Sequence, residues 1–195
     1  MTTFHLIRHA SNDYLVQNKI AGWLPNVHLN DTGRRQAEAL AGRLGSEPIR
    51  AVYSGPLERA VETAEPLALK LGLKVIPSEG LGEIRFGDWP DQSVPKLDQD
   101  PRWRRWNSFR SGTQAPKGDI MIEAQARIVR EMLRLRDIHP SETIALVTHG
   151  DPIKAAVAYF IGSPLDLFLR IEISPASVTT IALDENQPRI LRVNS

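Results

Sequence analysis

Apolar residues recur along the chain in two rhythms that alternate. Short β-prone runs at Phe4-His5-Leu6-Ile7, Ala51-Val52-Tyr53, Lys74-Val75-Ile76 and Thr143-Ile144-Ala145-Leu146-Val147 read as strands. Between them the spacing becomes helical: Ala37, Leu40, Ala41 and Leu44 share one face of a helix that Asn30 or Thr32 can cap. A second helix is expected from Pro56, where a first turn tolerates proline, to about Leu71, with Gly72 as its stop. A third runs from Ile120 to about Ile138 and ends before His139-Pro140. A fourth spans roughly Pro152 to Ile161, with Asp151 as cap. Ser177 to Leu183 and Arg189 to Val193 read as closing strands that can run antiparallel.

The unbroken apolar run at 143–147 is of the kind buried on both faces of a parallel sheet. Alternation of strand and helix predicts an α/β fold, a three-layer α/β/α sandwich with a mostly parallel central sheet. No composition break, repeat or low-complexity tract divides the 195 residues, so 1–195 is expected to form one domain. Only Pro77 to Gly118 breaks both rhythms. It holds Trp89, Trp103 and Trp106, and within it residues 90–118 are expected to form a lid or cap.

Composition narrows the function classes. Hydrophobic residues make up 42% and charged residues 24%, the balance of a folded chain rather than a disordered one. A formal charge of +1 gives no general attraction to nucleic acid or an anionic membrane, so any anion site must be local. The absence of cysteine removes disulfides and thiolate ligands and fits a reducing compartment. Met1 to His5 lacks the charge and apolar pattern of a signal peptide, and no apolar run spans a bilayer; a cytoplasmic protein is expected.

Ligands of open α/β sheets gather at the carboxyl ends of strands. His9 and His149 each follow such a strand, which can bring them to one sheet edge from opposite ends of the chain. His5 and His9 have the spacing of a helical zinc pair, but in a strand they stand about 13 Å apart, so no metal site is expected. Arg8 adjoins His9, and Arg59 falls near a helix N-terminus, where its charge opposes the dipole unless an anion compensates. A surface pair of Arg59 with Glu58 or Glu62 is the plain alternative. Gly150 and its neighbours open a further helix whose N–H groups could face an anion. Together these make a phosphate site. Glu83 and Asp88 read first as solvated loop acids; if Glu83 lies beside the phosphate site, its pKa would be raised and it could serve as proton donor.

At these residues the chain resembles the histidine phosphatase superfamily in its phosphoglycerate-mutase-like branch. The resemblance rests on Leu6-Ile7-Arg8-His9-Ala10, Ala21-Gly22-Trp23, Leu29 to Ala37, Tyr53 to Ala64, Glu83 to Trp89 and Val147-Thr148-His149-Gly150, in that order over almost the whole length. It implies a phosphoglycerate-mutase-like fold, with His9 as nucleophile, Arg8, Arg59 and His149 around the phosphoryl oxygens, and Glu83 as proton donor. No cofactor or metal is implied. Asn12, Gly22 and Gly150 would help bind substrate, a small phosphorylated metabolite; a homodimer is allowed. The chain departs from the family's pattern at Ala10, Asn12, Leu15, Asp119 and Ile120.

Mutases of this branch are generally longer, with a segment that keeps water from the phosphohistidine; the short link from Glu83 to the helix near Ile120 favours a hydrolase, with a mutase as alternative. An idle, ligand-binding relative is the third reading, opposed by retention of a nucleophile and a donor. In Asp100 to Arg110 the plain reading is an amphipathic lid helix with Trp103 and Trp106 inward and the arginines in water; in the functional reading Arg102, Arg104 or Arg105 turns inward to a second anionic group of the substrate, with Arg102 and Arg105 as the candidates. Arginines among tryptophans also suit single-stranded nucleic acid, but the near-zero net charge speaks against it.

Overall fold

In the computed structural model, which describes Met1–Ser195, six strands form one sheet in the order β3-β2-β4-β1-β5-β6. They are β1 (Thr2–Arg8), β2 (Ile49–Ser54), β3 (Val75–Pro77), β4 (Thr143–Thr148), β5 (Val178–Leu183) and β6 (Pro188–Arg192). β1, β2, β3 and β4 are parallel, whereas β5 and β6 run antiparallel along one edge. The longer helices are α2 (Asp31–Leu44), α3 (Glu58–Leu71), α6 (Met121–Ile138) and α7 (Gly150–Phe160), with short α1 (Asp13–Val16), α4 (Val94–Leu97) and α5 (Pro101–Ser108) in the connections.

The side-chain period of two along β1 builds the layers. Phe4 and Leu6 enter a cluster with Ile128, Met132 and Leu135 of α6 and Ile153 and Val157 of α7. Ile7 points the other way, into Leu40 and Leu44 of α2 and Ala64 and Leu67 of α3. The expected three-layer α/β sandwich is therefore present. Asn30, rather than Thr32, caps α2 by accepting from Gly33 N, and Gly72 ends α3 in the left-handed conformation.

Two helix starts differ from expectation. α3 begins at Glu58, because buried Leu57 stays extended and its carbonyl takes the first helical N–H groups, those of Ala60 and Val61. α7 begins at Gly150, with extended His149 in the capping position; the Asp151 carboxylate is drawn to Arg110 instead of capping. The segment between Glu83 and α6 packs through Trp89, Trp103 and Trp106, which share a cluster with Ala155 and Ala158 of α7. No helix is long and apolar enough to cross a membrane.

Candidate active site

β1 and β4 are neighbours, with Arg8 opposite Thr148 in the register, so His9 and His149 emerge side by side. Their ring centroids are 5.1 Å apart and their planes meet at 62°. His9 Nδ1 lies 2.8 Å from the Ala10 carbonyl. A carbonyl only accepts, so Nδ1 carries the proton and Nε2 keeps its lone pair. Burial, the Arg59 charge and the Arg8 charge hold the His9 pKa well below the ordinary histidine value, against a smaller opposing effect of the Ala10 bond. Burial and the same arginines do likewise to His149, whose two ring nitrogens are buried and without hydrogen-bond partners.

Arg59 projects from the first turn of α3 and is 1% exposed. Its Nη2 donates to the Gly22 carbonyl at 2.7 Å, while Nε and Nη1 find no partner. The plain surface-pair reading fails here: Glu58 accepts from Asn26 N and Glu62 from Leu29 N. A buried guanidinium with unspent donors is a ready anion receptor. Gly22 itself has φ +53°, a conformation that glycine adopts without penalty and that presents its carbonyl to Arg59. Arg8 is held by the Ile173 carbonyl at 2.6 Å, with its Nε unpartnered. Gly150 lets Arg8 approach, since a Cβ there would stand 3.3 Å from Arg8 Nε.

The Glu83 side chain is 12% exposed, and its Oε2 sits 3.7 Å from His149 Nδ1. Its Oε1 accepts from Ile84 N at 2.9 Å. Burial first, and the Asp151 charge second, raise its pKa to about 7 against the pull of Arg59 and Arg8. Its backbone is fixed from two sides: Trp23 Nε1 donates to the Glu83 carbonyl at 2.6 Å and Arg127 Nη2 at 2.8 Å. The Thr148 hydroxyl ties the preceding turn down through the Leu81 carbonyl.

Arg8, His9, Asn12, Gly22, Arg59, Glu83 and Gly150 line one cavity of ≈ 290 Å³, beside which His149 is buried. Asn12 Oδ1 caps α1 through Leu15 N, leaving its buried Nδ2 without a partner. A larger groove of ≈ 790 Å³ between α2 and α3 contains none of these groups. Convergent charge, rather than size, distinguishes the smaller cavity.

Arg102 and Arg105, assigned from sequence to the substrate, are not in this cavity. Arg102 is exposed and paired at 2.7 Å with Asp100, the α5 cap, which also accepts from the Arg102 backbone N; Arg105 is exposed as well. The arginine that does reach the cavity is Arg110, past the end of α5. It is 3% exposed, lies 3.7 Å from the Trp106 ring centroid and 4.6 Å from that of Phe168, and donates to Asp151 at 2.7 Å. In the sequence Trp103, Trp106 and Arg110 stand at i, i+3 and i+7, which groups Arg110 with the tryptophans, although α5 ends at Ser108 before reaching it. Arg127 had a fainter signal, a cation beside the apolar stripe of α6.

Residues 4–195 match the model of the histidine phosphatase superfamily, branch 1. The chain belongs to this superfamily. Among branch 1 relatives, phosphoserine phosphatase 1 of Hydrogenobacter thermophilus is 28% identical over 196 residues, covering 100% of this chain and 92% of its own. A 2,3-bisphosphoglycerate-dependent phosphoglycerate mutase of Thermoplasma acidophilum is 30% identical over 189 residues, covering 92% and 86%. In structure, phosphoserine phosphatase of Entamoeba histolytica, solved with 3-phosphoglyceric acid, superposes with a TM-score of 0.91 at 25% identity, over 100% of this chain and 98% of that one. This histidine phosphatase fold thus has both phosphatases and mutases among its relatives.

Proposed function

We propose that the protein is a phosphomonoester hydrolase working through a phosphohistidine on His9. The observation that carries this reading is the His9 ring itself: Nδ1 is committed to the Ala10 carbonyl, and Nε2 keeps its lone pair in a cavity whose lining includes the partly unspent guanidinium groups of Arg8 and Arg59. In the first step the Nε2 lone pair attacks phosphorus and the P–O ester bond breaks. Glu83 gives its proton to the leaving alkoxide. In the second, Glu83 as carboxylate takes a proton from water, the water oxygen attacks the phosphoryl group, and the N–P bond breaks to return neutral His9 and phosphate. Arg8, Arg59 and His149 surround the transferring group, and fixed charge there stabilises its loose, anionic transition state. Asn12, Gly22 and Gly150 complete the phosphoryl cradle, and residues 90–118 act as the cap of this single domain.

Hydrolysis is favoured over mutase chemistry by the charges left in the cavity. Beyond Arg8 and Arg59 its cations are Lys19 and Arg110, and each is already paired with an aspartate, at 3.1 and 2.7 Å. The second phosphate of a bisphosphate therefore has no unengaged cation to meet. Incubation with 3-phosphoglycerate plus 2,3-bisphosphoglycerate tests the choice: whatever turnover occurs should yield free phosphate, and isomer as the dominant product would overturn it. Turnover of p-nitrophenyl phosphate by wild type but not by His9→Ala separates either enzyme from an idle relative.

A further inference from the structure

The pair formed by Asp151 and Arg110 also lines the cavity, and apart from the help that the Asp151 charge gives in keeping Glu83 protonated, phosphoryl transfer gives it no task. Arg110 cannot swing freely. Its guanidinium lies between the Trp106 and Phe168 rings, Nη1 donates to Asp151 Oδ2 at 2.7 Å and Nη2 to Asn107 Oδ1 at 2.6 Å. Asp151 is held by that bond in the first turn of α7, two residues beyond His149, and its side chain is 20% exposed. Oδ2 is occupied, whereas Oδ1 makes no hydrogen bond within the chain. The result is a carboxylate held in position on the wall of the cavity that receives the phosphomonoester in the hydrolase reading.

A carboxylate only accepts, so its complement is an N–H or O–H donor, strongest when the donor is charged. It also repels a carboxylate or a second phosphate, which is how a site rejects a wrong partner as well as welcoming a right one. Resting on the hydrolase reading above, we propose that Asp151 is a specificity-determining residue that selects phosphomonoesters bearing an ammonium group close to the ester oxygen.

Three esters of equal length test this: 2-aminoethyl, 2-hydroxyethyl and propyl phosphate, ending in ammonium, hydroxyl and methyl. Each is measured as a competitor of p-nitrophenyl phosphate turnover by wild type and by Asp151→Asn, which keeps shape and an acceptor for Arg110 but removes the charge. Wild type is expected to prefer aminoethyl over propyl phosphate by at least about tenfold, the factor that about 1.4 kcal/mol of charge-assisted hydrogen bonding supplies. In Asp151→Asn the preference should shrink to about threefold or less, as a neutral acceptor bonds roughly half as strongly. A wild-type ratio near one, or the same ratio in both proteins, would overturn the proposal; a purely structural Asp151 changes thermal stability and leaves the ratio alone. Calorimetric titration of the esters into His9→Ala, with and without Asp151→Asn, yields the ratio without turnover. A chain that binds selectively but never hydrolyses would thus refute the hydrolase reading and spare this one.

Discussion

A carboxylic acid that keeps its proton near neutrality is the residue on which the proposed chemistry turns. Below about pH 7 Glu83 is protonated and can donate, and as pH rises through that value the donor is lost. His9, depressed well below the ordinary histidine value, stays unprotonated on Nε2 across the same range. The kcat/KM for an alkyl phosphomonoester should therefore fall above about pH 7, with its acid limb below the ordinary histidine pKa. Glu83→Gln should remove the alkaline limb and lower the rate by about 10²–10⁴, the usual worth of a positioned acid. A pH-rate profile with an unchanged limb in the variant would assign it to another group.

The same residue carries a stability cost with a definite sign. Its folded pKa, about 7, lies above the ordinary 4.5, so the folded state binds more protons between those values and loses stability as pH rises across them. Above both values the cost amounts to at most about 3 kcal/mol. Glu83→Gln should accordingly raise the melting temperature more at pH 8 than at pH 4, and equal shifts at both would contradict the buried-acid account. Periodicity placed Arg8, His9 and His149 at strand ends and Arg59 near a helix start, the family resemblance added Glu83, and the fold brings these five candidates to one cavity. Sequence alone failed for Arg102 and Arg105, because the direction an arginine takes from a short helix depends on local partners such as Asp100.

Among the elements, the cap and α7 depend on one another. Trp106 is fully buried against Trp89, Trp103 and Phe86, and its ring supports Arg110, which holds Asp151 at the start of α7. Trp106→Ala should cost about 3–5 kcal/mol in denaturant unfolding, the range for emptying a large buried aromatic site. A loss below about 1 kcal/mol would mean that the cap is not integral to the core. The regular strands and helices were legible because each shows one period over several residues. The cap was not: α4 and α5 are short, and tryptophan stacking rather than periodicity determines their placement. The early start of α7 escaped notice for a related reason, since Asp-Pro reads as cap and first turn until a distant arginine claims the aspartate.

At the scale of the whole molecule, parallel pairing of β1 with β4 is what joins the two histidines, 140 residues apart in number, into one site. Alternation of strand and helix implied that topology, although strand order itself cannot be read from a linear pattern. Phosphoryl transfer through His9 is the claim from which the other functional statements follow. Rapid mixing with a ³²P-labelled phosphomonoester, followed by alkaline quench and peptide mapping, tests it directly. An alkali-stable, acid-labile label on the peptide containing His9, absent from His9→Ala and decaying as phosphate is released, is the predicted result. Phosphate release by wild type with no labelled protein at any time, or undiminished release by His9→Ala, would contradict the account.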